Sequence, residues 1–174
     1  MPQWRVLLTD YAWPDLEIER AILSAAGAEL IVAPDGNETT LTRLAHEVDA
    51  ILTCWARVTP AVLDASTRLQ IVSRLGIGLD NIAVEHCSQR RIVVTNVPDY
   101  CLEEVAEHTL ALLLALGRKV AWYHAQTKRG EYDLKSGPAL RRIAGQTLGI
   151  IGLGNIGRRV AEKARAFGLR VIAT

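Results

Sequence analysis

The sequence predicts an α/β protein built on parallel sheets with helices packed over them, one small domain followed by the beginning of a second. Three observations predict it. Short runs rich in Val, Ile and Leu alternate with helical patterns along the chain. Those runs are nearly continuous in apolar residues, as strands covered on both faces are. The hexapeptide Gly152-Leu153-Gly154-Asn155-Ile156-Gly157 matches G-x-G-x-x-G at the point where a strand pattern gives way to a helical one.

Taken in order, strands are expected at Arg5–Thr9, Glu29–Ala33, Ala50–Cys54, Leu69–Arg74 and Ile92–Asn96. Helices are expected between them at Asp15–Ala26, Thr40–Glu47, Pro60–Ala65 and Val84–Gln89. Thr59 before Pro60 supplies a capping hydroxyl followed by proline at the first helical position, where its missing N–H costs nothing. These five strands would complete a first domain, residues 1–100. A longer helix is expected from Leu102 to His124, with Glu103 and Glu104 in its first turn and Arg118 and Lys119 farther along. Because Val105 to Leu116 is apolar on nearly every side, that helix is expected to be buried all round, between domains or subunits. A loop, Gln126 to Arg142, leads to a strand at Thr147–Ile151, a helix at Ile156–Phe167 and a strand at Arg170–Thr174, so a second, incomplete domain spans 101–174.

Charge and cysteine usage narrow the function classes. The 174 residues carry 20 Lys+Arg and 19 Asp+Glu, a formal net charge of +1, so the basic surplus of a nucleic-acid or polybasic membrane binder is absent. With 49% hydrophobic residues, the composition is that of a folded domain and not of a disordered chain. Met1 to Arg5 shows no secretory pattern, and the longest apolar stretch, Thr109 to Gly117, falls far short of the ~20 residues that span a bilayer. Cys54, Cys87 and Cys101 form no C-x-x-C pair or disulfide framework, and read as reduced thiols of a cytoplasmic protein.

Two glycine loops carry the candidate chemistry. In the first, strand, turn, helix and second strand succeed one another as a dinucleotide site requires. Gly152 permits the tight turn, Gly154 lets the backbone approach a pyrophosphate, and Gly157 lets the helix pack against the strand. Amides of Asn155 and Ile156 then face the phosphates from the helix N-terminus. The acidic residue expected about 20 positions on, which binds the ribose, does not appear before the chain stops at Thr174, so the sequence reads as a fragment of a longer protein. In the second loop, Arg74-Leu75-Gly76-Ile77-Gly78-Leu79-Asp80-Asn81, the glycines do not fit the dinucleotide pattern. From the residues alone it is either a nest of amides at Leu75 and Gly76 for a small anion, or a tight connection with Asp80 capping the next segment.

With these segments in view, the chain resembles the D-isomer-specific 2-hydroxyacid dehydrogenases. The motifs are the 74–81 loop, Ile92-Val93-Val94-Thr95-Asn96-Val97-Pro98, Val105-Ala106-Glu107-His108, and Thr147 to Gly157, in that order. The resemblance implies a flavodoxin-like substrate domain, then a Rossmann NAD-binding domain entered through the long helix, 102–124, which also joins a homodimer. It implies NAD as cofactor, with NADP as the alternative, since the discriminating position lies past the last residue. The substrate, a 2-hydroxy or 2-oxo acid, would have its carboxylate on the amides of Leu75 and Gly76, with Ile77 near the nicotinamide. Pyrophosphate binding carries over to Gly154, Asn155, Ile156 and Gly157. The arginine, histidine and glutamate of hydride transfer lie downstream in the family, so the chain as written is expected to lack a catalytic residue and to be inactive. The alternative reading is a dinucleotide-sensing corepressor-like protein of the same family.

Other residues weigh less. His108 reads as a hydrogen-bonded contact residue, and His46, His86 and His124 as solvated surface. Glu104 and His108 share a helix face but do not make a metal site, and no metal is expected. Trp55 and Arg57, after the third strand, either shape substrate preference or simply pack and solvate. Lys128, Arg129, Arg141 and Arg142 read as a solvated loop face.

Overall fold

A computed structural model describes residues 3–133, 135 and 137–174. The chain divides into two compact units, Met1–Tyr100 and Cys101–Thr174.

The first unit is a five-stranded parallel sheet in the order β2-β1-β3-β4-β5. Its strands are β1 (Trp4–Leu8), β2 (Ala28–Val32), β3 (Ala50–Thr53), β4 (Ile71–Arg74) and β5 (Val93–Thr95). The helices between them are α1 (Glu17–Ala25), α2 (Glu38–Leu44), α3 (Pro60–Asp64) and α4 (Val84–Gln89). The expected Thr40–Glu47 helix starts two residues earlier and ends in a separate 3-10 turn, Ala45–Glu47. Leu7, Ile51 and Val72 stand in register across β1, β3 and β4 and are wholly buried. Leu41, Val62, Leu63 and Cys87 from α2, α3 and α4 close over them and complete the core. Thr59 caps α3, its hydroxyl accepting from the Val62 amide, with Pro60 next as the sequence suggested.

A buried carboxylate fastens the amino edge of this sheet. Asp49 accepts from the Arg5 amide at 2.9 Å and from the Arg68 guanidinium at 2.9–3.1 Å. The start of β1 and the segments leading into β3 and β4 are thereby tied at one end, opposite the carboxyl edge where ligands of such sheets bind.

The second unit holds α5 (Leu102–Gly117), α6 (Val120–Lys128), β6 (Thr147–Ile150), α7 (Asn155–Ala166) and β7 (Arg170–Ala173). The strands pair in parallel, Thr147 opposite Arg170 and Ile150 opposite Ala173. One long helix to His124 is not what forms. Gly117, a weak helix former over which Ile143 packs closely, ends α5, and Lys119 turns the chain with φ of 56° before α6 begins. The basic pair Arg118 and Lys119 thus follows a 16-residue helix and complements its carbonyl end. The expected loop begins later, after Lys128, and within it Leu134 and Ser136 lie outside the described residues.

Within this one chain, α5 is covered on one face only. Ala106 and Leu110 are buried, Leu110 in a cluster with Ala164 of α7 and Leu169, while Leu112 and Leu116 are 58% and 72% exposed. A single face packs, because one neighbouring helix covers one stripe of a cylinder. Glu103 and Glu107 of α5 pair with Lys163 of α7 at 3.0 and 3.1 Å, and Glu103 also with Arg159 at 2.9 Å. Among the described residues, no helix is long and apolar enough to cross a membrane.

Candidate functional site

In the second unit, the glycine turn follows directly from β6. Gly152 sits at φ of 89°, which a side chain resists, and its amide bonds the Thr174 carbonyl at 2.9 Å. Gly154 is the N-cap of α7, and a β-carbon added there would meet nothing within 4 Å. At Gly157 the opposite holds: a β-carbon would lie 2.2 Å from the Gly152 carbonyl oxygen. One glycine therefore bends the chain, one leaves open space above it, and one allows the helix to touch the turn. Arg158 donates from Nε to the Leu153 carbonyl at 3.2 Å and braces the loop from outside. Asn155 and Ile156 open α7, where backbone amides have no helical acceptor. Open space, free amides and the positive end of a helix dipole fit a pyrophosphate.

In the first unit, the 74–81 loop leaves the carboxyl end of β4. Leu75 does not keep its amide for a ligand, because that amide donates to the Thr53 carbonyl at 2.8 Å and extends the ladder by one residue. The next carbonyls are tied from the β5 side: Gly76 accepts from the Val97 amide at 3.0 Å, and Ile77 from the Asn96 side chain at 2.8 Å. Among the described residues, nothing accepts from the amides of Gly76 and Ile77. Arg74 lies against this loop, since a β-carbon at Gly76 would sit 2.8 Å from its Nη1. Its Nε and Nη1 are buried with no hydrogen-bond partner. Two free amides beside a guanidinium with two unpaired nitrogens suit a carboxylate. The sequence motif contained Arg74, but nothing in the spacing showed that its Nε and Nη1 would be left unpaired.

A second residue the sequence reading passed over is Asp10, at the end of β1. It accepts from the amides of Cys54, Trp55 and Ala56 at 3.0, 2.7 and 3.1 Å, and from the Thr9 hydroxyl at 2.7 Å. Burial pushes its carboxyl up, but the Thr9 hydroxyl and the amides of Trp55, Cys54 and Ala56 together hold it below the ordinary value of 3.8. A depressed carboxyl pKa adds stability that is complete above 3.8 and is lost as pH falls through the lower folded value. Acid titration of tryptophan fluorescence is therefore expected to show an unfolding limb that is shallower in Asp10→Asn; identical limbs would contradict this. Burial and the Asp10 charge raise the neighbouring Cys54 thiol despite the opposing pull of Arg74. Cys54 is thus a protonated, buried thiol and not a nucleophile.

The remaining candidates separate clearly. His86 is not simply solvated: its Nε2 lies 2.8 Å from Asp64 Oδ1, 22 residues away, with Arg90 also on that carboxylate at 3.2 Å. The hydrogen bond from His86 holds the Asp64 carboxyl down, and the cluster joins α3 to α4. His46, His108 and His124 are exposed, as are Lys128, Arg129, Arg141 and Arg142. No cluster of three metal-ligating side chains occurs among the described residues.

Fold and sites together define a two-unit α/β protein with a glycine turn opening a helix in one unit and, in the other, a strand-end loop with free amides beside Arg74. The family of D-isomer specific 2-hydroxyacid dehydrogenases, in its catalytic domain, matches residues 6–170. The chain belongs to that family. It is 34% identical over 168 residues to a D-3-phosphoglycerate dehydrogenase of Methanocaldococcus jannaschii, covering 97% of this chain and 31% of that one. It is 36% identical over 175 residues to a hydroxypyruvate reductase of Thermotoga maritima, covering 99% and 56%. Among solved structures, D-lactate dehydrogenase from Aquifex aeolicus complexed with NAD and lactic acid superposes with a TM-score of 0.85 at 25% identity, covering 97% of this chain and 50% of that one. The chain thus spans between about a third and just over half the length of these relatives.

Proposed function

We propose that these residues form the substrate side and the leading dinucleotide-binding half of an NAD-dependent oxidoreductase acting on D-2-hydroxy acids. The observation that carries this reading is the 152–157 turn, where each glycine meets a separate steric demand of dinucleotide binding. Gly152, Gly154, Asn155, Ile156 and Gly157 would hold the pyrophosphate. NAD, when bound, supplies or takes the hydride. That structural neighbours include complexes with NAD and one with NADPH supports a nicotinamide dinucleotide.

On the substrate side, the Gly76 and Ile77 amides and the Arg74 guanidinium would hold the carboxylate of a 2-oxo or 2-hydroxy acid. Leu75 contributes its place in the loop, its amide being engaged. In the family, a histidine oriented by a glutamate moves the proton and an arginine also binds the substrate carboxylate; none of the three is assigned to a residue of these 174. The bare apolar face with Leu112 and Leu116 on α5 supports a homodimer through that helix. Three free thiols support a reducing compartment such as the cytoplasm.

The test is NADH oxidation by the full-length protein with glyoxylate, hydroxypyruvate and pyruvate. Reduction of at least one is expected. Bound NADH with no turnover on any of them, and dimerisation that depends on the cofactor, would replace the enzyme reading with the corepressor-like one.

A further inference from the structure

The carboxyl ends of β1 and β3 are more firmly built than carboxylate binding requires. Asp10 gathers three consecutive amides, those of Cys54, Trp55 and Ala56. The Ala56 carbonyl is in turn held by the Thr53 hydroxyl and the Asn81 side chain, each at 2.9 Å. Thr9 and Thr53 join the two strand ends through a buried hydroxyl pair at 2.9 Å. Three amides and the last carbonyl of this turn are pinned, yet the side chain it carries, Trp55, is 62% exposed. An indole left in water on a fixed backbone does not serve core packing. The β1 end bears two more aromatic rings, Tyr11 and Trp13, in contact with centroids 6.0 Å apart.

Position gives this aromatic edge a use. The carboxylate-holding loop leaves β4, the strand next to β3 in the sheet. Neighbouring strands lie roughly 4.8 Å apart, about the reach from the carboxylate of a 2-oxo acid to a ring carried on its C3. A substrate fixed by its carboxylate over β4 therefore brings its side chain within reach of the end of β3.

We propose that Asp10 is a positioning residue which fixes Trp55 as the wall of a side-chain subsite, and that this site favours 2-oxo acids with a flat apolar side chain, an aryl group foremost. The inference rests on the 2-hydroxyacid oxidoreductase reading above and names the substrate class for it. Trp55 is the specificity-determining residue, and Asp10 acts only through it.

The experiment compares phenylpyruvate with glyoxylate, which has no side chain, in the full-length protein. Wild type is expected to favour phenylpyruvate in kcat/KM, and Trp55→Ala to lower the phenylpyruvate-to-glyoxylate ratio by about tenfold, through KM. Trp55→Phe is expected to recover most of that ratio, which a merely structural role would not predict. Asp10→Asn keeps the shape but loses the charge, and should lower the same ratio with kcat for phenylpyruvate moving little. A ratio unchanged in Trp55→Ala overturns the proposal, as does a wild-type preference for glyoxylate or for a phosphate-bearing 2-oxo acid. If no 2-oxo acid is reduced, the oxidoreductase reading fails separately. Calorimetric binding of phenylpyruvate and glyoxylate to wild type and Trp55→Ala then decides the subsite without turnover: equal affinities overturn it, and a phenylpyruvate preference lost in the variant upholds it.

Discussion

Gly157→Ala is expected to abolish useful dinucleotide binding and to destabilise the second unit. The added β-carbon would stand 2.2 Å from the Gly152 carbonyl oxygen, and both atoms belong to backbone that has no rotamer to change. Relief requires either the turn or the first turn of α7 to retreat, and each movement displaces the amides of Asn155 and Ile156. Overpacking of this kind costs about 3 kcal/mol, and the displaced amides should weaken NADH binding about a hundredfold or more. Gly154→Ala separates packing from ligand approach, since its β-carbon meets nothing within 4 Å. That variant should melt like wild type and still lose affinity, because the new methyl occupies the space the pyrophosphate would enter. Titration calorimetry with NADH and thermal melting of the full-length protein check both. Wild-type affinity in Gly157→Ala would refute the assignment of the turn.

Arg74→Met is expected to move stability and substrate affinity in opposite directions. Arginine at this position buries Nε and Nη1 without partners, and each orphaned donor costs about 1–3 kcal/mol. Methionine follows a similar path through the same space without the donors, so the substrate-free protein should gain about 1 kcal/mol or more in urea unfolding. The same change removes the cation that lies against the 74–81 loop, where the substrate carboxylate would sit. A lost charge-assisted hydrogen bond of about 1.5–3 kcal/mol predicts a KM for 2-oxo acids raised between about tenfold and a hundredfold. Residues that destabilise the empty protein and are retained for binding are expected at functional sites. Reduced stability with an unchanged KM would show that Arg74 is structural.

The parts of this molecule that were legible in its sequence are those whose cause is local. Continuous Val, Ile and Leu runs located all five strands of the first unit, because a strand covered on both sides has no need of polar alternation. The glycine turn was legible for the same reason, since each of its glycines answers a demand set within six residues. What escaped depends on partners far along the chain. Asp10 meets its amides 44 to 46 residues away, and no spacing rule joins those positions. His86 and Asp64 find each other only because α3 and α4 lie side by side. The Leu75 amide is consumed because the ladder runs one residue past β4, a register effect invisible without the neighbouring strand. The break at Lys119 escaped because a left-handed lysine leaves no compositional mark.

Asp49 gives the first unit a division of labour with evolutionary weight. Its ties to Arg5 and Arg68 secure β1, β3 and β4 at the edge remote from the loops that follow those strands. Mutations in those loops therefore draw little on the clasp that keeps the strands together. A lineage with this arrangement is free to exchange one side-chain pocket for another by drift at one rim, while the opposite rim keeps the scaffold above its folding threshold.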